Sequence, residues 1–208
     1  MSRDDAVRVR RFRLKAGRME AFSDGLFAIA ITLLVLEIAV PMVGDSQLLR
    51  AILEEWPSYL AYLVSFATIG AIWIGHVTMT EFLAEVSPGF LRLNLVLLLF
   101  VGLLPFPTRL LAENLTSEEN ERVAVTLYGV VLGVIALLLS ALWRYALRDG
   151  LIGSDRKSGD VRLLTRRLTP SLGFYVIVII VGVFFPTVAV FGYLLIAIGL
   201  LIPTRRTG

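Results

Sequence analysis

Asp24, His76 and Asn94 have the most chemistry to offer, because each stands in a long apolar run. An ionisable side chain at the centre of a membrane helix costs about 2.5–3.5 kcal/mol on insertion scales, so such groups turn toward protein or water. His76 is the only histidine and follows Trp73 by one turn, while Asn94 sits among leucines. Two chemistries fit these residues. One is a buried hydrogen-bond network that fastens helices together; the other is a proton relay or an ion-binding site. No metal site is expected, since one histidine without a second ligand at helical spacing is not a ligand set and the chain has no cysteine. No H-E-x-x-H, G-x-S-x-G or P-loop pattern is present either. The sequence therefore predicts neither an enzyme nor a cofactor.

The run that holds Asp24 carries a second pattern. Ile29, Thr32, Leu33 and Leu36 recur at i, i+3, i+4 and i+7 and share one helix face, which extends back through Phe22, Gly25 and Leu26. Such a stripe serves as packing surface, lipid contact or pore lining, and periodicity does not separate the three. Glu37, four residues after Leu33, either concentrates cations through its field or is a helix-end carboxylate in water or paired with a base.

The elements that position these residues are membrane helices. Of the 208 residues, 57% are hydrophobic, against roughly 45–50% in soluble domains. A helix crosses a hydrocarbon core of roughly 30 Å in about 20 residues. Apolar stretches of that kind cover about 20–40, 57–80, 90–112, 123–146 and 170–203. The last is too long for one span and carries Pro186, so it is one kinked helix or two joined at residues 184–187. Lysine and arginine favour the cytoplasmic side. With six spans, every base except Arg50, Arg109 and Arg122 falls on one side; with five, Arg205 and Arg206 fall on the wrong one. The sequence thus predicts one all-α transmembrane domain over 1–208, with both termini cytoplasmic. A basic arm (1–17) and a flexible basic loop (147–168, within a glycine-rich stretch at 144–169) lie on that side, facing anionic lipid. The arm lacks a signal-peptide pattern and is expected to stay attached. The net charge of +3 is too even to imply nucleic acid. In this topology Asp24, His76 and Asn94 share the cytoplasmic half of the bilayer, in reach of one another.

Arg18, Phe22, Ser23, Asp24 and Gly25 read as R-x-x-x-F-S-D-G, followed by the apolar run to Glu37. Trp73 and His76 stand in a W-x-x-H pattern, and Leu93, Asn94 and Leu95 lead to Leu104, Pro105, Phe106, Pro107 and Thr108. These motifs resemble the signature of the transmembrane protein 175 family, the potassium channels of lysosomes and their prokaryotic relatives. The likeness is strong over the first three spans; over the last three it rests on hydropathy and length. It implies a single-repeat form in a prokaryotic plasma membrane: a homotetramer with six helices per subunit, first helices around a central pore and potassium ions as cargo. No T-V-G-Y-G filter is present. Instead the resemblance makes Ile29, Leu33 and Leu36 an apolar constriction, with Thr32 as a hydroxyl ring. It implies that Arg18, Phe22, Ser23 and Asp24 hold the first helix, with Trp73, His76 and Asn94 as their partners. The alternative is a proton-coupled secondary transporter working through Asp24 and His76, although the chain lacks paired broken helices in matching halves.

Overall fold

Caps and breakers set where each helix starts and stops. The computed structural model describes residues 14–39, 41, 47–117, 120–154 and 158–202, the side chains of 166–172 excepted. Most of the basic arm and the tail with Arg205 and Arg206 lie outside the described residues. Helix α1 (Gly17–Leu33) tightens into a 3₁₀ turn at Leu34–Glu37, and α2 (Leu48–Glu54) is short. Then come α3 (Trp56–Thr80), α4 (Pro88–Leu103), α5 (Pro105–Asn114), α6 (Glu121–Arg148), α7 (Ser158–Phe184) and α8 (Pro186–Leu201). Gly17–Glu37, Trp56–Thr80, Pro88–Asn114 and Glu121–Arg148 are each long and apolar enough to cross a membrane.

The α4 start is signalled in the sequence: Phe90 N–H donates to the Ser87 hydroxyl (3.4 Å) and Pro88 sits in the first turn. Pro105 and Pro107, lacking N–H groups, split the third span at Leu104. Thr108 closes the first turn beyond the break by donating both its backbone N–H (3.1 Å) and its hydroxyl (2.8 Å) to the Leu104 carbonyl. The Thr108 hydroxyl also lies 2.8 Å from Ser65 on α3, and Ser65 lies 3.0 Å from the Tyr128 hydroxyl on α6. One buried hydroxyl cluster thereby pins α5 to two neighbours.

The long terminal stretch resolves into two helices, broken at Phe185 (φ −135°, ψ 74°) ahead of Pro186. They form an antiparallel hairpin. A Cβ on Gly192 would stand 3.0 Å from Val178, and one on Gly182 would stand 3.3 Å from Ala189, so glycine lets the pair close on both sides of the break. The apolar part of α7, Gly173–Phe184, and α8 are shorter than the other spans. Helix α6 packs on α4, α5, α7 and α8, whereas α1 leans chiefly on α3 and α4 at the edge of the bundle.

The flexible basic loop expected over 144–169 is corrected. Helix α6 runs on to Arg148, and α7 already begins at Ser158. Gly150 at φ 65° stops α6, with Leu151 N–H donating to the Ala146 carbonyl (3.0 Å) and Leu151 buried beneath. The first turns of α7 stay helical because they are amphipathic: Leu164 is buried, and the Trp143 indole donates to the Thr165 hydroxyl at 2.8 Å.

Backbone bridges join the segments at this end. Leu14 and Val86 exchange hydrogen bonds of 2.9 and 2.8 Å, while Ala84 N–H donates to Leu151 (2.9 Å) and Gly153 N–H to Phe82 (3.0 Å). The α3–α4 turn therefore clasps both the lead-in to α1 and the turn after α6. Leu83 and Ile152 form the non-hydrogen-bonded kind of antiparallel pair, with Cα atoms about 4.5 Å apart, which suits a disulfide. In this cysteine-free chain, Leu83→Cys with Ile152→Cys should oxidise to an intramolecular disulfide. The measurement is the loss of maleimide–polyethylene glycol modification, restored by reductant. Two freely modified thiols after oxidation would remove the clasp.

Candidate functional site: the first helix and its polar anchors

Helix α1 presents two unlike faces. Met19, Ser23, Phe27 and Ala30, with Leu34 in the following turn, are buried against the chain. Phe22, Ile29, Leu33 and Leu36 point away from it, with 57%, 60%, 41% and 73% of their surfaces exposed. Gly25 lies on the outward side with open space where a Cβ would be. Grooves flank the helix on both sides. One, of about 420 Å³, runs between Asp24, Phe27, Ile31 and the α3 residues Ile69, Gly70 and Trp73. The other, of about 500 Å³, runs past Phe22, Gly25, Ile29 and Leu33 to Gly102 on α4. The stripe that includes Ile29 is therefore not wedged inside the chain's own core.

The inward face is tied by a directional line of hydrogen bonds. The buried Ser23 hydroxyl gives its one proton to the Met19 carbonyl (2.9 Å), so toward Asn94 it must accept. Asn94 Nδ2 donates to it at 3.0 Å. The Asn94 oxygen then faces His76 Nε2 at 2.9 Å, which makes Nε2 the protonated nitrogen of that ring. The His76 ring also lies 5.5 Å from that of Phe27. The result joins α1, α3 and α4 with each of these groups paired.

Asp24 belongs to a separate link. It accepts the Trp73 indole N–H at 2.9 Å and is exposed on the flank of α1. The four polar residues thus do not share one hydrogen-bond network: Ser23 is joined through Asn94 to His76, while Asp24 bonds Trp73. Arg18 is exposed and makes no side-chain bond among the described residues. Thr32 is exposed too, its hydroxyl donating back to the carbonyls of Ala28 and Ile29, each at 2.9 Å. Because that group has one proton, its lone pairs stay free. Glu37 lies within electrostatic reach of Arg109, which pairs with Glu113 at 2.8 Å. Among the described residues no group of three or more His, Asp or Glu could hold a metal ion. Sequence reading missed the Ser65–Thr108–Tyr128 cluster; its one available signal was a threonine directly after a Pro-x-Pro break.

The sequence profile of the family described as "Endosomal/lysosomal potassium channel TMEM175" matches residues 18–105, the stretch that carries all of these α1, α3 and α4 anchors. A potassium channel of Streptomyces collinus is 42% identical over 153 residues, covering 73% of this chain and 74% of that protein. The chain belongs to the TMEM175 family. Its fold is similar to the crystal structure of a lysosomal potassium-selective channel TMEM175 homolog from Chamaesiphon minutus, with a TM-score of 0.81 at 37% identity, covering 89% of this chain and 96% of that one. The endosomal/lysosomal proton channel TMEM175 of Gallus gallus is 35% identical over 143 residues, which are 64% of this chain and 28% of that protein. These TMEM175 relatives are channels, not enzymes.

The anchor line makes a graded prediction. Asn94→Leu removes two hydrogen bonds, each worth about 0.6–2 kcal/mol in a membrane protein, and strands the His76 N–H and an Ser23 lone pair. His76→Phe keeps the ring against Phe27 and removes one bond. Asn94→Leu should therefore destabilise the detergent-solubilised protein more, by about 1–3 kcal/mol. The thermal midpoint of purified protein checks this, and equal midpoints for the two variants would contradict the directional line.

Proposed function

We propose that four copies of this chain form a potassium-permeable cation channel in a prokaryotic plasma membrane. Each subunit contributes six spans, namely α1, α3, the broken α4–α5 pair, α6, α7 and α8, with both termini cytoplasmic. The α1 helices surround a central axis. Ile29 makes the narrowest ring, and Leu33 and Leu36 stack above it. The observation that carries this reading is the division of α1: a buried face held by the Ser23–Asn94 hydrogen bond toward its own chain and an exposed apolar face away from it. The kinship with bacterial potassium channels adds to it.

An apolar ring has no oxygen to replace water around a cation, so a narrow dry gap closes by dewetting. Conduction requires the ring to widen until a partly hydrated ion fits. Potassium holds its water less tightly than sodium, which gives it the easier passage. The Thr32 hydroxyl, with its proton turned into its own helix, has an oxygen free to meet a cation beside the ring. Ser23, Asp24, Trp73, His76 and Asn94 act as positioning residues that fix the rotation of α1; Arg18, Phe22 and Gly25 complete the motif on its outward side. The transporter alternative needs Asp24 and His76 to exchange protons, and their attachment to different partners favours the channel.

Potassium flux into liposomes that contain only this protein tests the reading, with sodium and proton flux as comparisons because the Gallus gallus relative is named a proton channel. Ile29→Asn should raise unitary conductance by wetting the gap, and unchanged currents would take Ile29 out of the pore. Thr32→Ala should lower the potassium-to-sodium preference while flux persists. An unchanged reversal potential under mixed-ion conditions would deny the hydroxyl a part in selection.

A further inference from the structure

Helix α2 has no buried residue, although most of it is apolar. Leu48, Leu49, Ile52 and Leu53 are all exposed, Leu49 and Leu53 by 73% and 66%. At the α-helical repeat these four fall within an arc of about 140°. The opposite side carries the Arg50–Glu54 ion pair, 2.8 Å long and open to solvent. Here α2 is amphipathic, yet none of its apolar side chains is buried.

The position of α2 says what covers it. It lies between the end of α1 and the start of α3, at the level where one span finishes and the next begins. Tyr59 OH donates to the Ile52 carbonyl (3.0 Å), one of those left over at the end of α2, and so fixes the short helix to α3. Trp56 opens α3 half-exposed, and Leu63, one heptad on, continues the exposed side along the span. The apolar arc thus leads in sequence straight into a half-exposed tryptophan at the start of an apolar span, and tryptophan is the residue type enriched where hydrocarbon meets headgroups.

We propose that α2 is an interfacial helix. Its leucine and isoleucine side chains seat in the headgroup–acyl boundary of the bilayer, and Arg50 and Glu54 face water, as an in-plane amphipathic helix requires. The proposal depends on the chain spanning a membrane and is independent of which ion it conducts.

The cysteine-free sequence makes the test direct. Leu53→Cys, Leu49→Cys and Glu54→Cys are each labelled with an environment-sensitive fluorophore and placed in phosphatidylcholine–phosphatidylglycerol liposomes. Lipid carrying a doxyl group at acyl carbon 5 should quench the labels at 53 and 49 at least about threefold more than the label at 54, given insertion of roughly 5–10 Å. Aqueous iodide should reverse that order. Equal iodide quenching at all three positions would put the helix in water and overturn the proposal. Shielding of 53 and 49 from both quenchers, with oxidative cross-links between copies of unlabelled Leu53→Cys, would overturn it in favour of a neighbouring subunit.

Discussion

The interior of a bilayer has no water to complete an unfinished hydrogen bond, so polar groups buried there must find partners within the protein. In this chain that constraint fixes α1. The helix leans chiefly on two neighbours at the edge of the bundle, and its packing contacts from Met19, Phe27 and Leu34 are apolar and forgiving of rotation. The line from His76 through Asn94 to Ser23 is not forgiving. Turning α1 by one residue, about 100°, would carry Ser23 off Asn94 and bury unpaired groups. At about 0.6–2 kcal/mol per bond the line adds modestly to stability. What it supplies is register, and register decides which side chains α1 turns outward.

The proline breaks work under the same constraint. Pro105 and Pro107 break the third span, and the buried Leu104 carbonyl at the break accepts twice from Thr108. Because the Thr108 hydroxyl also reaches Ser65 and through it Tyr128, the break is tied to α3 and α6. Helix α5 then packs against the 3₁₀ turn that ends α1, which brings Arg109 near Glu37. Both ends of α1 are therefore braced, one by the backbone clasp at Leu14 and the other by α5. Its middle, with Ile29 and Thr32, is left to the outward face.

Much of this was legible in the sequence where a strong local rule applied. Apolar length marked the spans, Pro186 marked the break between α7 and α8, and the motif around Asp24 marked the helix that needed partners. The loop read into 147–168 failed because arginine and glycine counts outweighed a helical pattern in Val161, Leu164 and Thr165, which only Trp143 and its neighbours make visible. The hydroxyl cluster was illegible for another reason. Serine, threonine and tyrosine barely disturb an apolar count, and Ser65 finds its partners 43 and 63 residues away. Asp24, His76 and Asn94 were rightly suspected of needing partners, but the sequence did not tell that Asp24 pairs apart from the other two.

The relatives' names pose a question that the proposed pore answers without a change of architecture. Bacterial relatives are named potassium channels, and a vertebrate relative is named a proton channel. A ring of apolar side chains discriminates by the cost of stripping water, so it favours the cation that gives up its shell most readily. A proton passed along a thread of water sheds no shell, and any wetting that admits potassium also gives it a path. On this reading the ring sets whether water enters, while selection among wetted carriers falls to the oxygens beside it. In the proposed pore that oxygen would be the one on Thr32, whose proton is already spent on its own helix. It can offer lone pairs to a metal cation more readily than it can hand on a proton, and that bias is toward potassium.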